Sequence, residues 1–175
     1  PWVLVESRYI RFVMSEINPH KKPLLGLDRT ELKAELEAIG EKAFRAKQLW
    51  HWIYHHGETD FSHMSTIARP LQEKLAEHFI VGRPDLSREQ TSKDTSRKWL
   101  LKFNDGNEAE TVFIPDDGRG ALCLSSQVGC TLNCDFCHTG TMPLVRNLTP
   151  EEILGQFMLA RDCLNDWPQQ SEGPR

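Results

Sequence analysis

A chain of 175 residues is long enough for one domain of ordinary size or two small ones. Its 39% of hydrophobic residues suits a globular protein, and no run approaches the roughly 20 apolar residues that a membrane span needs. The net charge of −4 argues against a protein that coats nucleic acid indiscriminately, although residues 29–102 carry 13 basic and 11 acidic side chains and leave room for a local basic patch. We therefore expect a cytoplasmic protein that lies in no membrane.

Residues 1–23 are expected to form a poorly specified leader. Glu6, Arg8 and Arg11 interrupt the apolar run that a signal peptide would require. The segment therefore gives no support for secretion.

Residues 24–86 predict a small helical domain. Asp28 followed by Glu31 resembles a capping box at the start of the first helix, a second helix is expected near 43–56, and a third begins at Pro70. Apolar residues recur at helical spacing along all three and are expected to form the core. They are Leu32, Leu36, Ile39, Phe44, Ala46, Leu49, Trp50, Ile53, Leu71, Leu75 and Phe79.

The pattern then changes from helical to alternating, and residues 87–118 predict a β-hairpin linker. Its strands are expected at 97–103 and 108–115, joined by a turn at Asn104-Asp105-Gly106. The next run, at 121–126, is short and apolar at its start, which is typical of a strand buried on both faces.

Residues 119–175 predict one βα unit, in which a cysteine-rich loop separates the strand from a helix. Thr149-Pro150-Glu151-Glu152 is a strong helix start, and an apolar face follows it. That face is expected to contain Ile153, Leu154, Phe157, Met158 and Leu164. Because a single βα unit cannot cover a parallel strand on both faces, we expect an incomplete fold of α+β to α/β class.

Cysteines are the strongest chemical signal in the chain. Four of the five lie between residues 123 and 137, and Cys130, Cys134 and Cys137 follow a C-x3-C-x2-C spacing. A secreted disulfide scaffold would spread its cysteines along the chain, whereas clustering in a cytoplasmic protein indicates metal binding or catalysis.

Three neighbouring thiolates suit either an iron–sulfur cluster or zinc. They can hold three corners of a cubane cluster and leave one iron open, while a site closed by four thiolates is expected for simple electron transfer. The alternative is a structural zinc site completed by His138 or Cys123. Zinc sites more often use two separated CxxC pairs, so the spacing favours iron.

Two stretches resemble the RlmN-type radical S-adenosylmethionine (SAM) methyltransferases. One, from 108 to 156, reads EAETVFIPDDGRGALCLSSQVGCTLNCDFCHTGTMPLVRNLTPEEILGQ, and the other, from 40 to 79, reads GEKAFRAKQLWHWIYHHGETDFSHMSTIARPLQEKLAEHF. The cysteine spacing alone marks the radical SAM superfamily. The SSQVGC segment before it and the Arg-Asn-Leu segment after it narrow the resemblance to this family, over nearly everything from Leu24 to Asp162.

The resemblance implies a methyltransferase acting on carbon 2 of adenine in 23S ribosomal RNA and in transfer RNA. Its cofactors would be a [4Fe–4S] cluster on Cys130, Cys134 and Cys137, and SAM on the open iron. The fold would be a small N-terminal helical domain, a β-hairpin linker and the start of a partial (β/α) radical SAM barrel. A flavodoxin or ferredoxin would donate electrons, and the protein is expected to be a monomer.

The family methylates one of its own cysteines and then forms a protein–RNA adduct through that methyl group. A second cysteine releases the product by forming a disulfide with the first, and by position it corresponds to Cys123. Glu110 corresponds to a carboxylate that accepts a proton. Without the resemblance, Cys123 would be interpreted as a small buried strand residue and Glu110 as an exposed strand glutamate.

The methyl-carrying cysteine and the later strands of the family correspond to positions beyond Arg175. Cys163 is not that cysteine, because it falls on the first barrel helix. We therefore expect no methyl transfer by this chain alone, and radiolabel appearing in RNA would contradict that expectation.

RNA is expected to be held by the helical domain through phosphate contacts, which position a substrate without reading its sequence. The candidate side chains are Arg45, Lys47, Arg69 and Lys74. Trp50, Trp52 and Tyr54 have helical spacing, which favours a core role over base stacking.

Three alternatives stay open at this point. One is the sister activity at carbon 8 of adenine, which uses the same cluster loop. Another is a zinc-stabilised RNA-binding module without catalysis. The last is a decaying gene fragment with no function.

Overall fold

The computed structural model describes residues 3–4, 21–132, 134 and 139–168. Its helices are α1 (Arg29–Ala38), α2 (Arg45–Tyr54), α3 (Arg69–His78) and α4 (Pro150–Leu164). The strands are β1 (Val3–Leu4), β2 (Lys22–Pro23), β3 (Phe79–Ile80), β4 (Asp85–Thr91), β5 (Arg97–Lys102), β6 (Glu108–Asp116), β7 (Arg119–Cys123), β8 (Gln127–Val128) and β9 (Arg146–Asn147). No helix among the described residues is long and apolar enough to cross a lipid bilayer.

Both helix starts predicted from capping residues are confirmed. The Asp28 carboxylate accepts hydrogen bonds from the backbone N–H groups of Thr30 and Glu31, and Glu31 accepts one from the N–H of Asp28. Thr149 and Glu152 form the same reciprocal pair at the start of α4. Each pair satisfies N–H groups that the helix itself leaves without partners.

Helices α1, α2 and α3 pack around one hydrophobic core, and the parallel pair of β2 and β3 is joined to it. Residues 21–84, which contain these elements, are called the helical unit. The expected core residues are buried or packed against it, with one exception. Phe44 is 55% exposed. It has helical backbone angles at the N-cap of α2, and at about 100° per residue it lies on the opposite side of the helix from Ala46, Leu49 and Ile53.

The predicted hairpin is confirmed as β5 and β6, and it belongs to a larger antiparallel sheet in the order β1-β4-β5-β6-β7. Gly106 adopts a φ of +83° in the turn, a conformation that glycine adopts without strain. Trp99 and Leu101 on β5 and Thr111 on β6 are fully buried beneath α4.

The prediction of a strand buried on both faces is wrong. Strand β7 pairs antiparallel with β6 at the edge of the sheet, and most of its residues, including Cys123, are exposed. Among the described residues, no further strand pairs with the outer edge of β7. The apolar letters of this run therefore do not correspond to burial.

Helix α4 connects the helical unit to the sheet. Met158 enters the core of the helical unit, while Leu159 and Ala160 pack against the sheet. Phe157, expected on the buried face, is 39% exposed. Since successive helical residues are about 100° apart, a helix that buries positions 158, 159 and 160 turns position 157 outward.

The helical unit is in close contact with both ends of α4. At the first turn, Gly26 lies against the backbone of Glu151. At the other end, Arg83 is 3% exposed, bonds the Asp162 carboxylate at 2.7 Å and donates to the carbonyl of Gly57 at 3.0 Å. These contacts fix the position of the helical unit on the helix that follows the cysteine loop.

A substitution at Gly57 tests the contact between the helical unit and the chain just after α4. It has a φ of +73°, and a Cβ atom there would lie 2.3 Å from the Trp167 ring. Gly57→Ala should lower the free energy of unfolding by about 3 kcal/mol, from backbone strain plus overpacking. Gly40 is the matched control, because its φ is +80° but its nearest neighbour is the flexible end of Lys74 at 3.9 Å.

Gly40→Ala should therefore cost only about 1 kcal/mol, since it adds backbone strain alone. Urea unfolding of the two variants measures both values. Equal losses would show that Gly57 and Trp167 are not in tight contact.

Candidate functional site

The cysteine loop is closed at its base by a short antiparallel pair. Strands β8 and β9 form this pair, with Val128 opposite Arg146. Above it, the N–H of Val145 donates to the carbonyl of Val128 at 2.9 Å, and that of Cys130 donates to the carbonyl of Met142 at 3.2 Å. The two ends of the loop are therefore held next to each other.

Two glycines let the loop fold closely on itself. Gly129 has a φ of +76°, and a Cβ atom there would lie 2.0 Å from the carbonyl oxygen of Pro143. A Cβ atom at Gly140 would lie 2.8 Å from the backbone of Cys134. Neither position accepts a side chain without moving the backbone, so the close approach around the thiols depends on glycine.

Cys130 and Cys134 are both partly exposed on this loop. The backbone N–H of Leu132 points at the Cys130 sulfur at 3.4 Å, a contact of the kind that surrounds cluster-bound sulfurs. Cys137 and His138, the third predicted ligand and the zinc alternative, lie outside the described residues. The thiol donors that are described fit a soft metal or an iron–sulfur cluster.

The described residues contain no group of three or more potential metal ligands. Cys130 and Cys134 are two thiols of the predicted set of three, and the remaining one is Cys137. The ligand set therefore stays a prediction.

The segment around Ser125, which leads into the cysteine loop and is called its N-terminal stem, is held by Gln156 on α4. The Gln156 side chain is completely buried. Its amide oxygen accepts hydrogen bonds from the Thr111 hydroxyl and from the backbone N–H of Ser125, both at 2.9 Å. Its amide nitrogen donates to the carbonyl of Ser125 at 2.9 Å and to that of Glu152 at 3.3 Å. One side chain thus joins α4, strand β6 and the segment that leads from Cys123 into the loop.

The segment by which the chain leaves the loop, at β9, is called its C-terminal stem, and it is held by Arg146. Its guanidinium donates to both carboxylate oxygens of Glu152, at 2.7 and 2.8 Å, and to the Asp105 carboxylate at 2.5 Å. These bonds raise the pKa of Arg146 and lower those of Glu152 and Asp105. The stem is therefore fastened to the start of α4 and to the turn between β5 and β6.

Glu110 and Cys123 lie on the same face of the β6–β7 pair. Cys123 is opposite Val112, and Glu110 is two residues from Val112 along the same strand. The Glu110 carboxylate is half exposed and lies 2.9 Å from the Lys98 ammonium. The backbone carbonyl of Glu110 accepts a hydrogen bond from the Ser125 hydroxyl at 2.8 Å. The interpretation of Cys123 as a buried residue is wrong, whereas Glu110 is an exposed strand glutamate as its pattern indicated.

Gln156 and Arg146 were missed as site residues. A glutamine within the apolar run of α4, four residues after Glu152, is the signal that could have identified the first. Arg146 lies between the cysteines and an acidic helix start, a position that favours an ion pair.

The aromatic residues of α2 line the core, as expected. Trp50, Trp52 and Tyr54 are partly buried against it. The Trp52 indole N–H donates to the Thr66 hydroxyl at 2.7 Å, and the Tyr54 hydroxyl accepts from the N–H of Gly26 at 3.2 Å.

Known proteins resemble this chain over most of its length. Residues 22–81 match the family described as the ribosomal RNA large subunit methyltransferase N-terminal domain. The dual-specificity RNA methyltransferase RlmN of Rhodospirillum rubrum is 63% identical over 158 residues, which cover 90% of this chain and 37% of that protein. The RlmN protein of Gluconobacter oxydans is 65% identical over 153 residues, which cover 86% and 38%.

A solved structure is similar as well. The crystal structure of a radical SAM methyltransferase from Sphaerobacter thermophilus matches with a TM-score of 0.74 and 34% identity, covering 83% of this chain and 43% of that one. The chain therefore spans less than half the length of these three proteins.

The two cysteines outside the loop should differ sharply in reactivity. Burial raises the pKa of the Cys163 thiol to about 12, whereas Cys123 is exposed. At pH 8 the thiolate fraction of Cys163 is on the order of 10⁻⁴, so iodoacetamide should alkylate Cys123 and leave Cys163 unmodified in the native chain. Peptide mapping by mass spectrometry measures each site.

The same chain unfolded in guanidinium is the control, and there both cysteines should react at similar rates. Similar rates in the native chain would contradict the burial of Cys163.

Proposed function

We propose that this chain, which belongs to the RlmN-type radical SAM methyltransferases, provides the cluster-binding loop and an RNA-binding unit for methylation of carbon 2 of adenine. The similarity to RlmN proteins over nine-tenths of the chain supports this proposal. The substrates would be 23S ribosomal RNA and transfer RNA, in the cytoplasm.

Cys130, Cys134 and Cys137 would hold a [4Fe–4S] cluster. When bound, the cluster and SAM supply the radical chemistry that carbon 2 of adenine, which is not nucleophilic, requires. The protein's own contribution is to hold the loop in one position. Gln156 fixes its N-terminal stem and Arg146 its C-terminal stem, both against α4.

Cys123 would act as the thiol that releases the methylated product, and Glu110 as the proton acceptor. Their shared face on the β6–β7 pair and the exposure of both side chains support these roles. Lys98 currently pairs with the Glu110 carboxylate, so this carboxylate would exchange its partner when the substrate arrives.

The helical unit would hold folded RNA through phosphate contacts, with the target adenine taken out of its stack. A flavodoxin or ferredoxin would supply electrons, and the protein would act as a monomer. Methylation at carbon 8 is the less favoured alternative, because the similarity is to proteins named RlmN.

The C-x3-C-x2-C loop carries this proposal, and iron loading tests it. Anaerobic reconstitution with ferrous iron and sulfide should give a brown protein with about four iron atoms per chain and broad visible absorption. Cys130→Ser, Cys134→Ser and Cys137→Ser should each lose most of the iron, because each removes a thiolate.

Cys123→Ser and Cys163→Ser are the matched controls and should keep the iron. A colourless chain holding one zinc atom would instead support the RNA-binding module without catalysis. Loss of iron in Cys123→Ser would show that a fourth thiolate closes the site.

A further inference from the structure

Phe44 is an exposed aromatic side chain on the helical unit. It lies at the N-terminal boundary of α2 with 55% of its surface exposed. Among the described residues of this unit, Phe61 and Phe79 are buried, and the aromatic residues of α2 itself pack against the core. A single exposed apolar side chain is common on protein surfaces, so the significance of this ring depends on the groups beside it.

One basic side chain contacts this ring, and two more lie close to it in the sequence. The Arg45 guanidinium lies 4.8 Å from the ring centre and is oriented by a 2.8 Å hydrogen bond to the side-chain oxygen of Gln48. Lys42 and Lys47 are exposed on either side in sequence. No carboxylate forms an ion pair with these three cations in the portion of the chain that the structure describes.

The other two cations predicted to contact phosphates are already paired. Arg69 lies 3.1 Å from the Glu73 carboxylate, and Lys74 lies 3.1 Å from that of Glu41. Each would have to lose its acidic partner in order to bind a phosphate. Of the four cations predicted to contact phosphates, Arg45 and Lys47, which lie next to Phe44 in the sequence, are therefore the two without a carboxylate partner among the described residues.

A flat ring beside a guanidinium and two ammonium groups matches the chemistry of a nucleotide. An unpaired base stacks on an aromatic ring and on an arginine plane, while lysines neutralise the flanking phosphates. A base inside a duplex has no free face for such a contact. An acidic peptide would use the cations but not the flat ring.

We propose that Phe44 and Arg45 form a stacking platform for an unpaired base of the RNA substrate, with Lys42 and Lys47 contacting the adjacent phosphates. The proposal rests on the proposed function for the assignment of the partner as RNA. It predicts that Arg45 and Lys47 contribute more to RNA binding than Arg69 and Lys74 do.

Fluorescence anisotropy with the full chain tests the platform, using a labelled short oligoadenylate and a fully paired RNA hairpin of the same charge. Phe44→Leu should weaken binding of the oligoadenylate about tenfold and leave hairpin binding almost unchanged, because only the stacking contact is lost. Phe44→Tyr should bind like the parent chain.

Arg45→Gln and Arg69→Gln form a matched pair of charge variants. Arg45→Gln should weaken oligoadenylate binding several-fold more than Arg69→Gln, whose parent side chain is engaged with Glu73. Thermal unfolding followed by circular dichroism should be unchanged in all four variants, since none of these side chains is buried.

Equal loss of oligoadenylate and hairpin binding in Phe44→Leu would overturn the stacking role, as would no loss at all. A parent chain that binds neither RNA, or that binds a polyglutamate peptide as tightly as the oligoadenylate, would also overturn it. Iron loading is independent of these outcomes, so a failed platform and a failed cluster assignment are distinguishable.

Discussion

The buried amide of Gln156 is the interaction on which the geometry of the candidate site depends. It satisfies both polar atoms of its side chain against Thr111, Ser125 and Glu152, with no exposure to solvent. An apolar residue at this position would leave the fully buried Thr111 hydroxyl without this partner, and an unsatisfied buried group costs about 1–3 kcal/mol. Gln156 therefore joins strand β6 to the start of the cysteine loop, together with the hydrogen bond from the Ser125 hydroxyl to the carbonyl of Glu110.

Helix α4 also determines where the other parts of the molecule meet. Its residue Glu152 holds the C-terminal stem of the loop through Arg146, four residues before Gln156 on the same side of the helix. At its far end, Asp162 pairs with the buried Arg83 of the helical unit. The helical unit and the cysteine loop are thereby attached to the same helix, so their relative position is set by contacts with α4.

Local sequence signals predicted the elements of this fold well. The capping residues Asp28 and Thr149 identified two helix starts, and the turn at 104–106 identified the hairpin, because these features are determined within a few residues of the chain.

Exposure was predicted less well, since it depends on which elements pack against each other. The apolar residues of β7 lie at a sheet edge, and Phe44 lies on the side of α2 opposite its buried face. Strand β4, which completes the sheet around the hairpin, has a polar sequence with only Leu86 as a strongly apolar residue, so alternation gave no signal there. The thiols themselves were found by spacing alone, but the side chains that hold their loop come from distant positions. No local pattern connects Gln156 to Ser125 or Arg146 to Asp105.

The proposed radical chemistry requires that three thiolates hold an iron–sulfur cluster whose fourth iron is open to SAM. Electron paramagnetic resonance of the dithionite-reduced, reconstituted protein tests it most directly, recorded before and after SAM is added. An open iron predicts a cluster signal whose g values shift when the amino and carboxylate groups of SAM bind. A cluster signal that SAM leaves unchanged, or a protein that holds no iron, would show that the three thiols do not form an open radical SAM cluster site.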